Sequence, residues 1–254
     1  MFAWEDGRVL RLYRSGRDAS EAERQARLLE AVRSGGVRVP EVYGLETVDG
    51  RPGIVMERLD GMDLLTALGK QPWRLFSIAS TCGRAHAALN AVAAAPGMEG
   101  AQVRLARPIL NPDRVPARYA EAAIARLGEL TEGDRLYHGD FHPGNLMVHH
   151  GEPVVIDWSN AATGPPEADF ARSRLLLRLG EPPPGAPVVV RALAGALGRL
   201  FGALYARAYR RSLKLDDALL KRWELPMAVA RLGEGIEVER PRVIARIESL
   251  LASA

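Results

Sequence analysis

Residues 138–158, "HGDFHPGNLMVHHGEPVVIDW", constrain the fold of this chain more than any other stretch. The runs "NLMVHH" and "PVVID" are each short enough for a strand, and Gly151 between them supplies a tight reversal. The spacing predicts a hairpin. Pro143 and Gly144 make the preceding segment a tight loop and not a helix. Around this hairpin stand Asp140, Asn145 and Asp157, with His138, His142, His149 and His150 interleaved. Three chemistries compete for such a set: a metal site built on histidine, a structural hairpin with polar turns, and a phosphate-transfer site built on carboxylates and magnesium.

The zinc reading needs ligands at helix positions i and i+4, or paired cysteines, with a further distant ligand; neither pattern is present. The structural reading explains any one residue, because Asp and Asn side chains bond nearby backbone in turns. It does not explain Asp157, which ends an apolar run that reads as a buried strand, where a carboxylate is costly unless it is paired or binds a metal. Phosphoryl transfer asks for one carboxylate to accept the hydroxyl proton of the acceptor. It also asks for an amide oxygen and a second carboxylate to hold magnesium against nucleotide phosphates. Asp140, Asn145 five residues on, and Asp157 at the end of the next strand meet that need. The hairpin brings the latter two together across its mouth.

The rest of the chain excludes several classes. Net charge is +3, but arginines interleave with acids, as in "EAERQARLLEAVR", so the basic residues form a solvated surface and not a nucleic-acid face. Cys82 is the only cysteine, which rules out an internal disulfide and fits a reducing compartment; its apolar helical setting marks a buried thiol. "MFAWEDGRVLRLYR" has no apolar signal core. The most apolar later segment, 188–208, is broken by Arg191, Arg199 and Arg207, so no membrane span is expected. These points predict a cytoplasmic protein.

Periodicity gives the organisation. "GRVLRLYR" alternates as a strand, with Val9, Arg11 and Tyr13 on one face. Residues 19–33 read as an amphipathic helix with Ala22, Ala26, Leu29 and Val32 along one stripe, ended by "SGG". "VRVPEVYGLETVDGRPGIVMERL" predicts two strands around "VDGRP". "WRLFSIASTCGRAHAALNAVAAA" predicts a long buried helix. Residues 96–116, with four prolines, read as an extended connector, and 119–130 as a helix. From Glu167 onward the pattern is helical, with a break at "EPPPGAP", 181–187.

"HGDFHPGN" followed by "IDW" resembles the catalytic segment of the aminoglycoside phosphotransferase family, the small-molecule relatives of protein kinases. "GIVMERLDG" is similar to the family's hinge, "GRAHAAL" to the helix before the catalytic loop, and "GPPEADFAR" to the segment after the metal-binding aspartate. The resemblance implies an α+β, bilobal protein-kinase-like fold. Its small β-rich N-lobe, truncated, would span 1–60 with the hinge, and its helical C-lobe 61–254. It implies Asp140 as catalytic base and Asn145 and Asp157 as magnesium ligands. The nucleotide would bond backbone at Glu57 and Leu59, with Met56 behind it. His86, His138 and His142 would be scaffold, and Asp169 would brace the catalytic loop.

The chain departs from the pattern in its first strands. The Gly-rich turn over the phosphates is missing from "MFAWEDGRVLRLYR", and Arg11 stands where the family has lysine. The only lysines are Lys70, Lys214 and Lys221. Arginine keeps the charge and forks two phosphate oxygens, but is bulkier. The position of the family's helix glutamate falls on Gln25, with Glu21 on the same face. The expected activity is ATP-dependent (GTP in its place is the alternative), magnesium-requiring phosphate transfer to a hydroxyl of a small molecule. The acceptor classes are aminoglycoside-like, sugar, amino alcohol or amino acid. Glu224, Glu234 and Glu237 are the acids placed to meet an aminated substrate. The competing class is a nucleotide-binding pseudokinase or partner-binding module, favoured by the missing turn and by Arg11 and Gln25.

Overall fold

The structure is a computed structural model that describes residues 1–14, 16, 18–179 and 188–253, with side chains from 195 onward in the last stretch. The "EPPPGAP" break lies outside the described residues. The first elements are β1 (Phe2–Trp4), β2 (Arg8–Leu12), α1 (Ala19–Ser34), β3 (Val42–Val48), β4 (Arg51–Glu57) and α2 (Leu64–Lys70). Then follow α3 (Leu75–Ala91), α4 (Ala101–Ile109), α5 (Ala117–Gly128), β5 (Arg135–Tyr137), β6 (Leu146–His149), β7 (Glu152–Val155) and β8 (Ala162–Gly164). The chain closes with α6 (Pro166–Leu179), α7 (Val188–Ser212), α8 (Asp217–Gly233) and α9 (Arg240–Leu251). The chain divides into two compact units, Met1–Trp73 with Pro143–Asn160, and Arg74–His142 with Ala161–Ala254. The division expected from sequence, 1–60 and 61–254, differs in two stretches: 61–73 and 143–160 belong with the sheet.

The first unit is built on an antiparallel sheet of order β1-β2-β4-β3. Alternation along β2 buries Leu10 and leaves Val9 and Arg11 part-exposed on the other face. β4 is buried from Pro52 to Met56, as a central strand must be. The turn between β3 and β4 places Asp49 (φ 51°) and Gly50 (φ 69°) in the left-handed region, the two-residue turn whose twist matches a hairpin. Helix α1 starts where the Asp18 side chain accepts from the Ser20 N–H and buries the expected stripe of Ala22, Ala26, Leu29 and Val32. The β6–β7 ribbon reverses the same way at His150 (φ 50°) and Gly151 (φ 84°). Its Val155 N–H donates to the Arg38 carbonyl, which ties the ribbon to the segment before β3.

The second unit is helical. α3 packs along α7, and Gly83 permits the close approach: a Cβ there would stand 2.4 Å from the Tyr205 carbonyl oxygen. α8 runs through the middle against α4, α5, α6 and α9, with Trp223, Met227 and Val229 fully buried. The segment 96–116 is not the extended connector expected from its prolines. It holds α4, with Ala101, Leu105 and Ile109 buried at i, i+4, i+8 spacing. Pro108 sits in the last turn, so most of the helix is unaffected by it. A short antiparallel pair, β5 with β8, was also not legible in the sequence; three residues carry too little periodicity to read.

Candidate active site

In the second unit, β5 delivers the chain into the loop 138–142. Asp169, fully buried at the start of α6, accepts from the backbone N–H groups of His138 (2.7 Å) and Gly139 (2.9 Å). It also contacts His86 Nε2 (2.9 Å) and accepts from Asn90 Nδ2 (2.9 Å). Burial alone would raise its pKa, but His86, His138 and the bonds they donate outweigh that, and its carboxyl is held down to about 2. His86 lies flat on Phe141 (centroids 4.2 Å) with its Nδ1 2.5 Å from the Tyr205 hydroxyl, so it is scaffold as expected. The positive φ of Gly139 (78°) turns the loop toward Asp140. The Asp140 N–H donates to His138 Nδ1 (3.3 Å), and its Oδ2 lies 3.7 Å from His142 Nε2. Partial burial resists ionisation of Asp140, but His142, Arg172 and His138 win, and its pKa falls below the usual carboxylate value. This loop therefore presents an ionised, partly exposed carboxylate, the form a proton acceptor requires.

In the first unit, a short 3₁₀ turn at Pro143–Asn145 leads into β6. The ribbon register pairs Leu146 with Val155, and the Asn145 carbonyl accepts from the Ile156 N–H (3.0 Å). Asn145 and the residue after Ile156, Asp157, therefore meet at the ribbon mouth. Asp157 is not the buried carboxylate expected from its apolar run. β7 ends at Val155, and the Asp157 carboxylate is exposed and accepts from the Ser159 hydroxyl (2.9 Å). Water solvates this carboxylate, so it carries no burial cost that a metal must offset. What is unusual is its backbone, left-handed at φ 59°, a conformation non-glycine residues adopt at a cost of about 1–3 kcal/mol and that clusters at functional sites. Asn145 is buried and Asp157 exposed at this mouth, and an amide oxygen with a carboxylate supplies the hard donors a divalent cation takes. Among the described residues no group of three or more His, Cys, Asp or Glu is arranged to hold a metal, which leaves the histidine-based zinc reading without a site.

The phosphotransferase enzyme family model matches residues 2–209. The chain belongs to this family. Solved structures agree on the fold. One, an aminoglycoside-3'-phosphotransferase of type VIII, is 16% identical with TM-score 0.59, covering 86% of this chain and 83% of its own. The streptomycin–ATP ternary complex of APH(2'')-IIa is 16% identical, TM-score 0.56, covering 98% and 86%. APH(3'')-Id from Streptomyces rimosus with ADP and streptomycin is 16% identical, TM-score 0.54, covering 88% and 86%. No curated protein sequence matches the chain. The fold is the kinase-like one of aminoglycoside phosphotransferases, and the protein is a small-molecule phosphotransferase.

In this phosphotransferase Met56 is buried in β4 between Val9 and Val42. Glu57 ends β4, and its N–H donates to the Glu41 carbonyl (2.8 Å). Sequence reading gave Glu57 only a backbone role, yet its carboxylate anchors the segment. It accepts from Arg38 Nη1 (2.7 Å), forms a second bond with Arg38 Nη2, accepts from the Glu41 N–H (3.1 Å), and lies 3.6 Å from His149 Nε2. The Arg38 bonds, against some burial, hold it below the usual carboxylate pKa. His149 Nδ1 in turn accepts from the Asp60 N–H (3.2 Å). The two ends of 57–60 are pinned, while the Leu59 backbone has no hydrogen-bond partner among the described residues. Arg11 is part-exposed on β2, 5.8 Å from the Tyr13 ring centre, with no ion pair among the described residues. Arg11 and Glu21 of α1 both act on the Tyr13 hydroxyl, which places the strand cation and the helix acid in one neighbourhood. Gln25 is half-buried one turn further along.

The acids expected to meet an aminated substrate are mostly spoken for. Glu234 is held by Arg172 (2.7 Å) and Arg231 (2.7 Å), and Glu224 by Arg246 (2.6 Å) and, more loosely, Arg174 (3.8 Å). Glu237 is exposed. Arg172 escaped the sequence reading. Buried on α6 one turn after Asp169, it donates from Nε to the Gly139 carbonyl (3.1 Å) and so grips the 138–142 loop from the other side. The only signal for it was the three-residue spacing in "DFAR".

Proposed function

We propose that this kinase transfers the γ-phosphoryl group of ATP, with magnesium, to a hydroxyl of a small molecule, with Asp140 as the proton acceptor. The observation that supports this most is the Asp140 carboxylate, ionised by its neighbours on a loop fixed from both sides by Asp169 and Arg172. As the acceptor oxygen bonds to phosphorus and ADP departs, Asp140 takes the hydroxyl proton. Asn145 and Asp157 would hold the magnesium, which neutralises phosphate charge when bound. Arg11 would bond phosphate oxygens, and the backbone of Glu57 and Leu59 would seat the base beside Met56. GTP in place of ATP remains within the same chemistry.

The neutralised Glu224 and Glu234 favour an acceptor whose recognition does not rest on several ammonium groups. Sugars, amino alcohols and amino acids fit alongside aminoglycosides. The APH(2'')-IIa and APH(3'')-Id structures hold streptomycin; for this chain an aminoglycoside is one member of the panel to try. A second reading, a nucleotide-binding pseudokinase, draws on Arg11 and Gln25. Purified protein with magnesium–ATP and a panel of hydroxylated acceptors separates the two: a phosphorylated product seen by mass spectrometry supports the kinase. Nucleotide binding with no product from any acceptor supports the second.

A further inference from the structure

The helices α3 and α7 carry no Asp or Glu, against Arg84 on the one and Arg191, Arg199, Arg207, Arg210 and Arg211 on the other. Helix surfaces ordinarily interleave both signs, which offsets repulsion at i, i+4 spacing. Away from their buried contact the two helices form a groove of about 320 Å³. Its walls include Phe76, Ser80 and Arg84 from α3, and Leu204, Arg207 and Arg211 from α7. Arg84 bonds only neutral hydroxyls, those of Ser80 (2.6 Å) and Thr81 (3.4 Å). Arg210, outside the groove, pairs with Asp217. Arg207 and Arg211 have no hydrogen bond or ion pair among the described residues. Phe76 is 62% exposed.

Three guanidinium groups around one concavity, with no carboxylate among them, leave an uncompensated positive field that an anion would relieve. Guanidinium forks fit phosphate oxygens two at a time. Phe76 and Leu204 give the same groove an apolar wall, and its volume lies at the small end of small-molecule sites, roughly 300–1,000 Å³. We propose that this groove binds a small phosphate monoester with a flat apolar body. The buried sides of the same helices hold His86, Asn90, Tyr205 and Tyr209. His86 and Asn90 contact Asp169, and the two tyrosines bond His86 and Asn90. An anion drawing α3 and α7 together therefore bears on the brace of the catalytic loop. This site goes beyond the phosphotransfer reading, and its test measures binding without turnover, so the two fail separately.

The probe is phenyl phosphate, titrated calorimetrically into the full chain with magnesium–ADP present to fill the nucleotide site. One equivalent is expected to bind, and inorganic phosphate more weakly. Arg207→Ala with Arg211→Ala should lower affinity by about ten- to a hundredfold, the loss of charge-assisted hydrogen bonds, with the melting temperature unchanged. Phe76→Ala should weaken phenyl phosphate more than inorganic phosphate. Should the double variant melt early, Arg207→Lys with Arg211→Lys keeps the charge and removes the fork, and still predicts weaker binding. No heat from phenyl phosphate at millimolar concentration would overturn the proposal. So would equal affinity in the variants, or capture of the protein by anionic-lipid vesicles alone.

Discussion

Asp140 carries the sharpest expectation at the scale of a single residue. Asp140→Asn keeps the shape and the backbone bond to His138 but cannot accept a proton, so turnover should fall roughly 10²- to 10⁴-fold. Magnesium–ATP affinity should stay within a small factor, and single-turnover kinetics with titration of the nucleotide checks both. A variant with near-full turnover removes Asp140 from the role. Asp157 separates binding from backbone strain. Its φ of 59° suits glycine, so Asp157→Gly should relieve the strain that the aspartate's own β-carbon brings and stabilise the fold by up to about 1 kcal/mol, whereas Asp157→Ala keeps a β-carbon in the left-handed site. Both should abolish magnesium-dependent nucleotide binding, and unchanged calorimetric binding in either would show that Asp157 is not a ligand. Arg11→Ala should weaken ATP about ten- to a hundredfold and adenosine hardly at all, because adenosine lacks the phosphates a guanidinium bonds. Equal losses for the two ligands would take Arg11 off the phosphates.

At the scale of elements, the helices of the second unit are set at separations that particular glycines permit. A Cβ on Gly233 of α8 would stand 1.9 Å from the Pro108 carbonyl oxygen at the end of α4. Neither backbone can yield locally, so Gly233→Ala should destabilise by about 1–3 kcal/mol. Gly202 lies within α7 with nothing inside 4 Å of the same position, so Gly202→Ala should stabilise by about 0.8–1 kcal/mol. Chemical denaturation of both variants checks the pair, and shifts of one sign would mean that packing is not what distinguishes them. In the first unit, the Arg38–Glu57 pair and His149 fix where β4 ends and 57–60 begins. That anchor joins residues far apart in the chain, and no local pattern announces it.

The whole molecule shows itself in its response to pH. Asp169 is fully buried, with its pKa depressed to about 2 from an ordinary 3.8. A depressed folded-state pKa contributes stability that is present above the unfolded value and is lost as pH falls through the folded one. The window is therefore pH about 4 down to about 2, and the contribution on the order of 2 kcal/mol. Melting temperatures of the native chain and Asp169→Asn across that range should converge at the acid end, and a constant gap would contradict this. Cys82, buried with its thiol pushed up to about 12, should resist alkylation until the chain unfolds.

What the sequence determined by itself is what short-range periodicity and turn chemistry encode. Gly151 and the flanking apolar runs set the ribbon and so brought Asn145 and Asp157 to one mouth. The stripe of Ala22, Ala26, Leu29 and Val32 set α1, and Asp49–Gly50 set the β3–β4 turn. Other features depended on partners distant in sequence, and only the tertiary structure decided them. Pro108 reads as a helix breaker until α8 is seen to bury Leu105 and Ile109 of α4. Glu234 reads as a free acid until Arg172, 62 residues earlier, is found bonded to it. Asp157 reads as buried until the end of β7 leaves it exposed. Ionisation and burial depend on neighbours in space, and the chain order of a fold this long does not specify those neighbours locally.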